Sequence, residues 1–476
     1  MLFLFLILVQ TPQLSATQMR ADFDELIHHI DTFAVHKDLN AIRLGINYDR
    51  AFGQLREEIS DDTSLCEFVA LLERATHWVQ DAHCGFMDYE YLSAYGKYQA
   101  KVNFDTHETY QEVMAIESLC AKPERKLKLP ICYIDGAYYF YATFEHRGET
   151  IQAGTRIQSY NGQPVEQFIS EHLDTVWPVR WQKGTPYFEG FYGAGPSTFT
   201  LNGIAFSLDE SSGISNQGLR EVRFLSQHEP KVEVWQDTQT LYIGLPFMDM
   251  DQAKSIVKQI KKIKRMGPFT KIIIDIRGNP GGNDMAWRTV LAQLLPKPVR
   301  FEINLKYKFN PENLAYYHGQ GQAREEIAIL GNQAYWTQEH QQAEIQPKRG
   351  SLRHAGPIYV LQDEWVFSSA VNLANFCSNS PQLISAGWSN DFVGGLQDEP
   401  IFRKLKNSGL VVRVEPMLDF TGVKTIDDLS HSQIELKIPK SLAGYEIRAR
   451  YDGDIYSQTF LTQHDPAIRA ILNHTE

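Results

Sequence analysis

Lys271-Ile-Ile-Ile-Asp-Ile-Arg-Gly-Asn-Pro-Gly-Gly-Asn283 is the stretch on which the fold turns. The run Ile272-Ile273-Ile274 is β-branched and unbroken, as in a central strand buried on both faces. Gly278, Asn279, Pro280, Gly281 and Gly282 then form a turn, and a helical pattern runs from Ala286 to Leu295. Paired glycines at a strand's end let backbone approach a ligand and aim N–H groups at it. Such a turn can hold an oxyanion. It is equally the turn of a plain strand–turn–helix, and the stretch alone does not choose.

Working outward, two strands, Val232 to Trp235 and Leu241 to Phe247, flank a polar turn. A helix from Asp251 to Met266 leads into the opening strand, a candidate right-handed crossover. On the other side, residues 300 to 350 are polar and Gln-rich and read as a surface insertion. A second buried strand, Pro357 to Leu361, ends at Asp363-Glu364, and Trp365-Val-Phe-Ser368-Ser369 follows before an apolar-periodic helix through Phe376. A serine between strand and helix is the placement of a nucleophile elbow, although no GxSxG is present. Serines at helix starts are more often N-caps. Gln382 to Ala386 is a further strand, and Leu410 to Val414, Ile434 to Ile438 and Tyr445 to Ala449 also read as strands. The turn Asp452-Gly-Asp454 and a last helix from Pro466 close the chain.

Residues 18 to about 95 read as helical. The amphipathic helix Leu65 to Val79 ends in Asp81-Ala-His83-Cys-Gly85-Phe86, which places His83 at an exposed turn. From about 100 to 225 the pattern shifts to short strands, with an aromatic run at Tyr138 to Phe144 and an Asn161-Gly162 turn before a Pro-Val-led helix.

The 476 residues exceed what one core usually serves. With 43% hydrophobic and 22% charged residues the chain is an ordinary folded one. A net charge of −12 argues against nucleic acid and anionic membranes as partners. The apolar run Leu2 to Val9 is too short to span a bilayer, and with Leu14-Ser15-Ala16 it reads as a secretory signal cleaved after Ala16. Five cysteines without a CxxC pair give no zinc spacing and no disulfide framework, though one or two bridges suit an exported chain. Cys84 is expected to serve packing.

Four segments, in this order, resemble the C-terminal processing peptidases, also called tail-specific proteases: Gln80 to Phe86, Ala153 to Phe168, Ile272 to Gly282 and Val360 to Phe376. The resemblance implies an α/β multidomain chain: a signal peptide over 1–16, a helical region over 17–98, a PDZ-like β-rich module with an insertion over 99–230, and a ClpP/crotonase-like catalytic core over 231–476. It implies Ser368 as nucleophile, Ser369, Gly281 and Gly282 as oxyanion donors, and His83 as general base, as in the family's histidine branch. The better-known branch has a lysine where this chain has Val393 beside Gly394-Gly395, and valine cannot accept a proton. The branch's acid falls near Ser457 and Gln458, neither of them acidic. Asp454 is the nearest carboxylate, with Gln458 or a plain turn aspartate as the competing assignments.

The expected function is therefore an exported serine endopeptidase, secreted or periplasmic, acting on polypeptide with no cofactor, no metal, no nucleic acid and no integral membrane span; a homodimer is left open. A histidine titrating near neutrality suits proton transfer from serine and back to the leaving amine. The alternative is a catalytically inactive peptide- or ligand-binding protein on the same fold.

Overall fold

A computed structural model describes residues 13–87, 106–120, 130–146, 149–182, 184–189, 197–201, 204–208, 229–319, 327–390, 400–429 and 432–475. At its centre is a six-stranded sheet in the order Lys231–Trp235, Thr240–Gly244, Lys271–Asp275, Ile358–Gln362, Leu383–Gly387, Leu436–Lys437. The first pair is antiparallel and the rest are parallel. Period-2 geometry sends Ile272 and Ile274 to one face and Ile273 to the other, and all three are fully buried. Burying each such side chain stabilises the fold by about 1.5–3 kcal/mol. The first face packs against the helices Met250–Ile263, Asp284–Leu294 and Ser369–Phe376. The second packs against the C-terminal helices Gln458–Gln463 and Pro466–Asn473. The sheet is thus the middle of three layers.

The last helix is tied to the end of the central strand by a buried ion cluster. Arg277 reaches Asp275 at 2.6 Å and Asp465 at 2.7 Å. Asp465 also caps that helix, accepting from Ala467 and Ile468. Removing one member of such a buried set strands the other charges, typically at a cost of about 3–5 kcal/mol.

Four N-terminal helices, Ala16–Phe33, Val35–Leu44, Tyr48–Glu57 and Leu65–Trp78, pack together. Their core is completed by Ile401, Val412 and Val414, from strands far along the chain. Ser15 caps the first helix. A disulfide joins Cys66 to Cys120, while Cys84, Cys132 and Cys377 are free and buried.

The β-rich region holds a sheet in the order Ile204–Leu208, Ser197–Leu201, Arg156–Tyr160, Ala137–Phe140, Ile131–Ile134, with the helix Val165–Glu171 against it.

Two sequence expectations change. The Gln-rich stretch is not surface decoration: Val299–Lys308, Ile327–Leu330 and Gln333–Ile345 form a four-stranded sheet with Met417–Asp419. Leu305 and Tyr307 lie on its buried side, but the buried Lys306 and Lys308 break a clean alternation and the Gln-rich composition hid its strand character. Residues 445–449 lie in a helix, Leu442–Arg450, because Ser441 caps it and Tyr445, Arg448 and Ala449 recur at helical spacing on the buried side.

Candidate active site

Two turns meet at the C-terminal ends of adjacent parallel strands. In the first, Gly278 donates its N–H to Asp363 Oδ1 at 3.0 Å. Asn279 is wholly buried; its Nδ2 donates to Leu245 O and its carbonyl accepts from Phe367 N at 3.0 Å. Asp363 Oδ1 also accepts from Trp365 N. These bonds lash the Gly-Asn-Pro-Gly-Gly turn to the serine turn. Gly281 and Gly282 have φ of 100° and 131°. A Cβ on Gly281 would sit 2.7 Å from both Phe367 O and Ser368 Cβ, and 3.0 Å from Ser369 N. One on Gly282 would meet Met248 O at 2.4 Å. Both positions therefore demand glycine, by conformation and by space.

Ser368 stands at φ 51°, ψ −126° and its side chain makes no capping bond to the helix it precedes. It is a strained strand-to-helix corner rather than an N-cap, and such strain collects at functional sites. Ser369 is buried, and its Oγ donates to Asp284 Oδ1 at 2.6 Å, which fixes the start of the helix. From the β-rich region, Arg180 Nη1 donates to Glu364 O and its guanidinium lies 4.1 Å from the Trp365 ring centre.

The oxyanion donors divide. The Gly281 N–H donates to Asn279 Oδ1 at 2.8 Å. The N–H groups of Gly282 and Ser369 have no acceptor among the described residues.

His83 is buried, not exposed, at 3% of its free surface. Gln80, at φ 55°, ends the preceding helix and anchors the turn through Leu173, Val176 and Val179. Gly85-Phe86 then pairs antiparallel with Val411–Val414, Gly85 opposite Arg413. That pairing covers the turn, and the Phe367 ring lies 4.4 Å from the imidazole. His83 is thus brought against the residue that precedes Ser368. No hydrogen bond among the described residues joins His83 to Ser368.

The same pairing supplies acids that the sequence did not point to. His83 Nδ1 is 3.6 Å from Glu415 Oε2 and 3.7 Å from Asp81 Oδ1, and both carboxylates are buried. His83 N–H donates to Asp81 Oδ1 at 2.9 Å. Burial, then the charges of Arg413 and His36, hold the imidazole well below its usual pKa. Burial pushes the Asp81 carboxyl up to about 7, against the pull of the His83 N–H and of Arg413. No hydrogen bond or ion pair among the described residues joins Asp454 to His83. Asp454 is exposed, and its carboxylate accepts from Tyr456 N at 2.9 Å in its own turn. Gln458 opens the helix that follows. Val393, Gly394 and Gly395 lie outside the described residues.

A strained serine corner lashed to a glycine turn at the ends of parallel strands is a geometry that can serve acyl chemistry in α/β proteins. Residues 239–426 match the model of peptidase family S41. This bears out the resemblance to the C-terminal processing peptidases and the expected multidomain α/β fold. Mature CPAF is similar over 91% of this chain and 95% of its own, at 12% identity and a TM-score of 0.55. Mature CPAF complexed with lactacystin is similar over 91% and 96%, at 13% identity and TM-score 0.53, and a CPAF mutant over 92% and 95%, at 11% and 0.54. At these identities the likeness is one of fold. No curated relative matches in sequence. Among the described residues no helix is long and apolar enough to cross a membrane.

Proposed function

We infer that this S41 peptidase is an endopeptidase acting through Ser368 as nucleophile and His83 as general base, with Glu415 as the carboxylate that orients the imidazole. The observation that carries the inference is the Ser368 corner, whose backbone conformation and uncapped side chain fit a nucleophile. In the proposed step His83 Nε2 takes the Ser368 proton as Oγ attacks the scissile carbonyl. The Nδ1–H turns to Glu415, and the proton then passes to the leaving amine. The N–H groups of Gly282 and Ser369 are available to the oxyanion. Gly281 would have to release Asn279 Oδ1 first. Distances of 3.6 Å are looser than a working hydrogen bond, as is common before substrate binds.

The alternative, a binding protein without turnover, draws support from the Gly281 N–H already being engaged. The PDZ-like character of the β-rich region, the stated domain boundaries, a homodimer and export through the Leu2 to Val9 run belong to the same proposal. The deciding experiment is hydrolysis of an unfolded polypeptide by the wild type, Ser368→Ala and His83→Ala. Both variants should lose at least about 10³-fold in kcat/KM. Wild-type levels in Ser368→Ala would remove the nucleophile; an inert wild type would favour the binding protein.

A further inference from the structure

The helices Asp284–Leu294 and Ser369–Phe376 start at the two turns of the proposed active site, and both turn one face to the same cavity of about 770 Å³. The first contributes Asp284, Trp287 and Arg288; the second contributes Asn372, Asn375 and Phe376. Asn372 is four residues, about one helical turn or ~6 Å, beyond Ser368. A chain lying across the serine could therefore send a side chain into this space. The cavity is of the size that binds ligands, and its apolar lining mixes aromatic rings, Trp287, Phe301 and Phe376 among them, with aliphatic side chains such as Ile303 and Ile438.

Its charges are unevenly matched. Asp284 is satisfied: Oδ1 accepts from Ser369, Trp287 and Asn372, and Oδ2 pairs with Arg288 at 3.2 Å. Arg288 in turn lies over the Trp287 and Phe301 rings at 5.3 and 5.2 Å. Lys440, on the far wall, is held 3.3 Å from Glu364. Glu302 pairs with His340 at 2.6 Å. Asp419 is different. It lines the cavity at the end of a strand, its Oδ1 accepts from Thr421 N at 2.9 Å, and no cation among the described residues pairs with it. Burial, with the like charges of Asp284 and Glu302 adding to it, pushes its carboxyl upward. A carboxylate so placed is stabilised by an incoming cation, and the neighbouring rings suit the aliphatic stem that carries one.

We propose that this cavity is a specificity pocket for a basic side chain of the substrate, lysine or arginine, and that Asp419 is the residue that selects it. The assignment of substrate class rests on the peptidase reading above. Lys437, on the edge strand of the wall, is the cation that would favour the opposite charge.

The test uses binding as well as turnover. Fluorescent acetylated pentapeptide amides with lysine, norleucine or glutamate at one position, otherwise Ala and Gly, are titrated against the full Ser368→Ala chain by anisotropy. The lysine peptide should bind about tenfold tighter than the norleucine peptide. Asp419→Asn, which keeps the acceptor for Thr421 N, should abolish that difference and leave norleucine binding unchanged. Asp419→Lys should favour glutamate. Equal affinities for lysine and norleucine, a preference for glutamate in the parent chain, no measurable binding, or a lysine preference that survives Asp419→Asn would each overturn the proposal. Selective lysine binding without cleavage of the same peptide by the wild type would refute the hydrolytic reading and leave the pocket standing.

Discussion

Replacing Glu415 by glutamine isolates the part of the site that owes most to tertiary structure. Glutamine keeps the size and the Oε1 acceptor that Met417 N uses, but removes the charge 3.6 Å from His83 Nδ1. Two unit charges at that distance attract by about 4.6 kcal/mol at an effective dielectric of about 20. This attraction arises only when His83 becomes an imidazolium, so it acts on the transition state. Solvent screening and relaxation around the site reduce this; allowing about a third for them leaves about 3 kcal/mol, or roughly 10²-fold in kcat. The assay is kcat for a fluorogenic peptide across pH, beside circular dichroism and thermal unfolding of the same protein. The expected result is a fall in kcat with native spectra and little change in KM. A loss smaller than about threefold, with the fold intact, would refute the reasoning and pass the orienting role to Asp81, the other carboxylate beside Nδ1.

Three further outcomes follow from the same geometry. Gly281→Ala places a methyl against the Phe367 carbonyl in a left-handed backbone; it should destabilise by about 1–3 kcal/mol in urea titration and cut kcat more than KM. In the proposed mechanism the neutral imidazole is the base, and the folded pKa of His83 lies below 6.5. Activity is therefore held above that folded value and lost as pH falls through it, so the acid limb of kcat/KM should lie below pH 6.5. The same shift removes stability as pH falls from 6.5, because the unfolded chain takes up a proton that the fold excludes. A limb centred above 6.5 would contradict the base assignment. Asp454→Asn should leave kcat within about twofold, since among the described residues its carboxylate bonds within its own turn; a larger loss in a steady-state assay would reinstate it.

The central strand, the glycine turn and the serine corner were legible because each is written locally. Three isoleucines give the strand, paired glycines the turn, and the switch from strand to helical periodicity the corner. The conformation of Ser368 was not legible, since an N-cap and a strained corner share the same residue type at the same place. His83 could be read as the end of a helix, but its burial could not. The cover comes from Phe367 and from Val411–Val414, which lie far away in sequence and pair with Gly85-Phe86. Glu415 was missed for the same reason. Val-Val-Arg-Val-Glu-Pro is an unremarkable strand end until its register sets Arg413 opposite Gly85. A carboxylate just past an apolar strand was the one available signal, and it is a weak one. The sheet at 299–345 was obscured by composition, because glutamines on a solvent face look like loop.

Ser368 as an activated nucleophile is the central claim. Labelling the wild-type chain with a serine-directed fluorophosphonate and mapping the adduct by mass spectrometry tests this most directly. One adduct on Ser368, lost in His83→Ala, is the predicted result. An adduct on Ser369 or elsewhere, or a chain that cleaves peptides while Ser368 stays unlabelled, would contradict it.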